Sequence, residues 1–259
     1  MREYRSKEIY GDLYENGNKP LIIVIGGSKA GLPTVGKTLL DYLIPNYNVL
    51  LLAYFGVGNL ARTLERVPVE YFVNATNLVK ERLNLRNNQV VLIGNSKGAE
   101  IALLLSKYMA SSITIGCVPS CYVFHGLPIK FLSIMFPKSS WSLNKKDLPY
   151  IRFYFDRKLM KDIKTQIYST SYEKSIEKNF RKDAAISIDG YKGKILLLSA
   201  ENDRYWPSKK MSNALVENSK NKDSIKHIVL DLEGHHYLEY AQSINEIISF
   251  LKLNESSLA

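Results

Sequence analysis

Gln89-Val-Val-Leu-Ile-Gly94-Asn95-Ser96-Lys97-Gly98-Ala99-Glu100 runs directly into Ile101-Ala-Leu-Leu-Leu-Ser106-Lys107-Tyr108. Val90 to Ile93 reads as a strand and Lys97 to Tyr108 as a helix, with Gly-x-Ser-x-Gly between them. Strand, glycine-flanked serine and helix is the context of a nucleophile elbow, a sharp turn that holds a serine hydroxyl out at the end of a sheet. The glycines let the backbone turn with little side-chain bulk. This context points to serine-dependent acyl transfer.

A second glycine pattern competes with it. Gly31-Leu-Pro-Thr-Val-Gly36-Lys37-Thr38 fits the phosphate-binding G-x-x-x-x-G-K-[ST] letter for letter. It is also the rarer pattern: about one chain in a hundred of this length would carry it by chance, against about one in ten for Gly-x-Ser-x-Gly. Context decides between them. A phosphate loop needs its first glycine at the strand end. Here the strand Leu21–Ile25 ends before Gly26-Gly-Ser-Lys-Ala30, and Pro33 removes a backbone donor from inside the supposed cradle. The same stretch suits the elbow serine better. An oxyanion needs two N–H donors, one from the residue after the nucleophile and one from a loop following an earlier strand. Lys97 supplies the first, and Gly27 or Ser28 the second.

The rest of the chain supports a sheet of this kind. Apolar runs at Leu21–Ile25, Tyr47–Ala53, Val90–Ile93, Ile113–Cys117, Lys194–Ser199 and Ile225–Leu230 alternate with helix-length segments at Thr34–Leu43, Val69–Leu83, Lys97–Tyr108, Ser208–Glu217 and Leu238–Leu253. Continuous Val/Ile/Leu strands alternating with helices predict an α/β fold with a mostly parallel sheet covered on both faces. Glu8–Tyr14 suggests an N-terminal hairpin. The whole of 1–259 reads as a single domain, with residues 119–190 an insertion that caps the ligand-binding edge of the sheet. That insertion carries the apolar run Ile129–Phe136 followed by a charged, helical half.

A serine nucleophile needs a base, and in an α/β sheet of this type the order along the chain is Ser, acid, His. His235 and His236 follow the last strand, and His235, directly after Gly234, is preferred. His125 falls in the cap and His227 at a strand start. After the strand Ile195–Leu198 come Glu201 and Asp203; Asp203 sits deeper in the turn and is the expected acid. It would fix the tautomer of the histidine.

Bulk properties narrow the partners. The 259 residues carry 35 Lys and Arg against 25 Asp and Glu, a net charge of +10. The excess lies between Lys130 and Lys194, where it could meet phosphates or an anionic surface, but no nucleic-acid fold signature accompanies it. No apolar run is long enough for a membrane span. The start of the chain lacks a secretory signal, so a cytoplasmic location is expected. Cys117 and Cys121 read as free thiols, with no metal-ligand set and no cofactor implied.

Val69-Glu-Tyr-Phe, Gly94-Asn-Ser-Lys-Gly-Ala-Glu100-Ile-Ala-Leu, Phe124-His-Gly, Leu148-Pro-Tyr-Ile-Arg-Phe153, Ile195-Leu-Leu-Leu-Ser-Ala-Glu-Asn-Asp203-Arg-Tyr-Trp-Pro-Ser208 and Glu233-Gly-His235 together resemble one family. It is the C-terminal catalytic domain of acyl-CoA thioesterases and bile acid-CoA:amino acid N-acyltransferase. The resemblance covers most of residues 20–255. It implies an α/β-hydrolase fold, Ser96, Asp203 and His235 as a catalytic triad, and a small-molecule acyl thioester substrate cleaved through an acyl-serine. Family members that transfer to an amino acid carry cysteine at the nucleophile position, so serine here favours transfer to water over transfer to an amine. The mammalian enzymes precede this domain with a β-sandwich for which the chain has no room, so oxygen esters stand beside acyl-CoA as expected substrates.

Overall fold

Five consecutive apolar residues, Leu21–Ile25, leave no polar face for water, and all five are buried. They form β3 at the centre of the sheet. The computed structural model describes residues 1–127, 136–232 and 234–258. In chain order its strands are β1 (Arg2–Arg5), β2 (Tyr10–Tyr14), β3, β4 (Asn48–Ala53), β5 (Val67–Pro68), β6 (Val90–Asn95), β7 (Ile113–Cys117), β8 (Trp141–Leu143), β9 (Lys146–Asp147), β10 (Lys194–Ala200) and β11 (Ile225–Leu230). Its α-helices are α1 (Lys37–Asn46), α2 (Val69–Leu83), α3 (Lys97–Leu105), α4 (Arg157–Thr165), α5 (Ser169–Lys178), α6 (Ser208–Asn218) and α7 (Ala241–Leu253).

The main sheet runs β1-β2-β4-β3-β6-β7-β10-β11. It is parallel from β4 onward, and the β1–β2 hairpin is added antiparallel at one edge. Alternate residues of each strand point to opposite faces, and each face has its own core. Ile23, Leu50 and Leu92 pack with Phe72 and Val79 of α2 and with Ile101 and Leu105 of α3. Ile22, Val24, Val91 and Leu196 pack with Leu39 and Leu43 of α1 and with Ile247 and Leu251 of α7.

Most elements lie where the sequence places them, and the departures are local. The helix expected from Thr34 begins at Lys37, because Gly36 is extended and packs against the backbone of Leu238 and Glu239. The helix expected from Leu238 begins at Ala241, after a turn. The helix expected to reach Tyr108 ends at Leu105 in turns. The N-terminal hairpin is longer than Glu8–Tyr14 and takes in Arg2–Arg5.

Residues 119–190 hold β8, β9, α4 and α5. A small second sheet, β5-β8-β9, ties them to the chain before α2. Except for the exposed Phe136, the apolar run Ile129–Phe136 lies outside the described residues.

Candidate active site

The turn at Gly94–Gly98 is built by close packing. A Cβ on Gly94 would lie 2.2 Å from the carbonyl oxygen of Gly98, and one on Gly98 would lie 2.2 Å from that of Ile25. Neither position accepts a side chain, so α3 can press against the ends of β3 and β6. Ser96 between them has φ 56° and ψ −118°, a conformation that L-residues hold only under constraint. Its N–H donates to Cys117 O at 2.9 Å, which extends the β6–β7 pairing to the serine itself.

Three sequence-distant residues meet here. Ser96 Oγ is 2.7 Å from His235 Nε2, and His235 Nδ1 is 3.0 and 3.1 Å from the two carboxylate oxygens of Asp203. All three side chains are buried. Asp203 Oδ1 also accepts the backbone N–H of Tyr205 at 2.9 Å and of Trp206 at 3.4 Å, so the carboxylate is held from several sides. The imidazole lies against the rings of Tyr205 and Trp206, with centroids 4.8 and 5.7 Å away. The alternatives take no part in this relay: His236 lines the cavity but is largely exposed, near Glu239, and Glu201 is exposed and paired with Lys209.

Both loops expected to supply N–H donors border the serine. Lys97 is the first residue of α3, where a helix leaves its N–H groups without internal partners. A Cβ on Gly27 would lie 3.3 Å from that of Ser96, so glycine gives this loop its close approach. The Tyr54 hydroxyl donates to Gly27 O and is within reach of Gly26 O. Ser28 is exposed and lines a cavity that also borders Ser96 and His235.

Within Gly31–Thr38, two groups that a phosphate would need already have partners inside the chain. The Gly36 N–H donates to Leu238 O at 2.8 Å, and the exposed Lys37 ammonium pairs with Asp41 one helical turn on. Leu32, Pro33 and Thr34 line the cavity beside Ser96.

That cavity has a volume of about 780 Å³. Its wall includes Phe153, Tyr168, Tyr172, Tyr205 and Trp206, with Lys29 also among the lining residues. Two contributors went unassigned in the sequence. His125, read only as a residue of the insertion, is buried in the wall; its Nδ1 is 2.6 Å from Gly126 O. Burial, and next the charge of Lys97, pull its pKa down to about 4. Asn95 holds the loop that carries His235 to the end of β6. The two thiols are buried and unpaired, and burial pushes Cys121 up to about 12 and Cys117 higher still.

The family model described as BAAT / acyl-CoA thioester hydrolase C terminal matches residues 67–242. The chain belongs to this family. An acyl-coenzyme A amino acid N-acyltransferase 1 of Mus musculus is 26% identical over 74% of the chain and 42% of its own length. A mitochondrial acyl-coenzyme A thioesterase 2 of Rattus norvegicus is 23% identical over 87% of the chain and 46% of its own length. The chain thus spans less than half the length of these two BAAT-family relatives.

Solved structures agree on the fold. The mouse alpha/beta hydrolase domain-containing protein 10 superposes with a TM-score of 0.56 over 97% of this chain and 95% of that one, at 13% identity. The alpha/beta hydrolase GrgF from Penicillium sp. sh18 gives 0.59 over 96% and 93%, at 15% identity. This BAAT-family chain has the α/β-hydrolase fold. Among its described residues, no helix is long and apolar enough to cross a membrane.

Proposed function

We propose that this chain is a serine hydrolase that cleaves acyl thioesters of the coenzyme A kind. The observation that carries the reading is the relay from Asp203 through His235 to Ser96, at 3.0 and 2.7 Å. Ser96 Oγ attacks the acyl carbonyl while His235 Nε2 takes its proton. Asp203 holds the opposite N–H and stabilises the imidazolium. The carbonyl electrons move onto oxygen, where the Lys97 N–H and a donor from Gly27 or Ser28 receive them. When the carbonyl re-forms, the C–S bond breaks and His235 returns the proton to the leaving thiolate. Water, activated by the same histidine, then attacks the acyl-serine, giving the carboxylic acid and free Ser96.

The aromatic wall suits an acyl chain, and Phe153, Tyr168 and Tyr172 of the 119–190 insertion supply part of it. The reduced thiols Cys117 and Cys121 fit a reducing, cytoplasmic setting. Acyl transfer to an amine is the second reading, favoured by relatives named as acyl-CoA amino acid N-acyltransferases.

The test is a panel of acyl-CoA thioesters and p-nitrophenyl esters, with and without amino acid acceptors. Released thiol or nitrophenol, free acid and amide are each quantified, for the wild type and for Ser96→Ala. Free acid from thioesters, lost in the variant, supports hydrolysis. Amide as the main product moves the assignment to transfer. Turnover that survives in Ser96→Ala removes the serine mechanism.

A further inference from the structure

Lys97 and Glu100 are one helical turn apart at the start of α3, and both point inward. Lys97 Nζ lies 2.8 and 2.9 Å from the two carboxylate oxygens, and the side chains are 4% and 0% exposed. Burial pulls the lysine pKa down and pushes the glutamate pKa up, while their bond to each other opposes both shifts. A buried pair of this kind is weak evidence for a stabilising role, because apolar replacements of similar volume are often as stable. What distinguishes this one is where its bonds lead.

Glu100 Oε1 also accepts the Trp141 indole N–H at 2.8 Å and the Phe124 N–H at 3.3 Å. One carboxylate oxygen therefore gathers donors from the nucleophile helix, from strand β8 and from the residue preceding His125 of the cavity wall. The Trp141 ring continues the connection. Its centroid is 5.7 Å from that of Tyr54, whose hydroxyl holds the Gly27 carbonyl. Both backbone segments assigned to the oxyanion hole are thus tied to Glu100, Lys97 by its own side chain and Gly27 through Trp141 and Tyr54.

We propose that the Lys97–Glu100 pair is a positioning element that fixes the two halves of the oxyanion hole to each other and to the 119–190 wall; this rests on the serine-hydrolase reading. Both side chains are turned inward from the cavity, 4% and 0% exposed, so the role is one of positioning. The pair acts through the Lys97 and Gly27 backbone, so its contribution is made where negative charge develops in the transition state.

The test compares wild type, Glu100→Gln, and the double variant Lys97→Met/Glu100→Gln. In the double variant the amide oxygen introduced at position 100 still accepts from Trp141 and Phe124, but no charge is left unpaired. The readouts are thermal stability, kcat and KM on a thioester, and the rate of labelling at Ser96 by a fluorophosphonate. Glu100→Gln alone is expected to lose both stability and activity. The double variant should recover stability, yet keep a kcat about 10- to 100-fold below wild type at unchanged KM, with labelling slowed in parallel. Wild-type kcat and labelling in a folded double variant would overturn the proposal. Should that variant not fold, Trp141→Phe keeps the ion pair and removes one link. A kcat lowered severalfold at constant KM supports the proposal, and an unchanged kcat overturns it. A wild type that is not labelled at Ser96 defeats the hydrolase reading itself. Normal labelling of wild type and double variant alike defeats only this inference.

Discussion

The Asn95 side chain clamps the backbone on both sides of the His235–Tyr237 turn. Its Nδ2 donates to the His235 carbonyl at 3.0 Å, and its Oδ1 accepts the Tyr237 N–H at 3.1 Å. Asn95 precedes Ser96, so the residue beside the proposed nucleophile fixes the loop of the proposed base. Asn95→Ala removes both bonds and leaves two buried backbone groups unpaired, at a cost of about 1–3 kcal/mol each. The expected outcome is kcat/KM at least about tenfold lower, with stability measured by urea unfolding.

Asp203→Asn tests the hydrogen bond to His235 Nδ1. The amide keeps the shape but permits the wrong imidazole tautomer. A fall in kcat of about 10⁴ is expected, with the circular dichroism spectrum unchanged.

The backbone of Ser96 makes its own prediction. At φ 56°, alanine retains the Cβ crowding and glycine does not. Both Ser96→Ala and Ser96→Gly should be inactive, but the glycine variant should be the more stable by about 1 kcal/mol. Equal unfolding midpoints would mean that the strained turn costs nothing.

Gly98→Ala places a methyl group 2.2 Å from the Ile25 carbonyl oxygen. Backbone cannot yield as a flexible side chain can. A loss of about 3 kcal/mol or more is expected, together with loss of activity, because α3 must back away from β3.

His125 governs part of the acid stability. Its pKa falls from 6.5 in the unfolded chain to about 4 in the fold, mainly through burial. The unfolded chain therefore binds the proton more readily between these values. The stability contribution is full above pH 6.5 and is lost as pH falls through about 4, on the order of 3 kcal/mol in all. The half-buried His227 shifts in the same direction, so the diagnostic is the difference between wild type and His125→Phe. The variant should show the flatter dependence in urea unfolding from about pH 7 to about pH 4.

The central strands were legible because they are apolar runs, Leu21–Ile25 without a polar residue and Asn48–Ala53 with only its first. The amphipathic Val69–Leu83 carried its own boundaries. The starts of α1 and α7 were not legible, since contact between Gly36 and the Leu238–Glu239 turn sets both. The two- and three-residue strands β5, β8 and β9 are too short for any periodicity. At the site, chain order singled out Ser96, Asp203 and His235, and the fold brings the three together. Asn95 gave no local sign, as its partners lie 140 and 142 residues away. The spacing of Lys97 and Glu100 permitted an ion pair, but only the fold shows that it is buried against Trp141 and Phe124.

The most direct measurement is intact-mass and peptide mapping after reaction with a fluorophosphonate, on wild type, Ser96→Ala and His235→Ala. The expected result is a single adduct on the peptide containing Ser96 in wild type, none in Ser96→Ala, and strongly slowed labelling in His235→Ala. An unlabelled, folded wild type, or an adduct on a residue other than Ser96, would contradict the account.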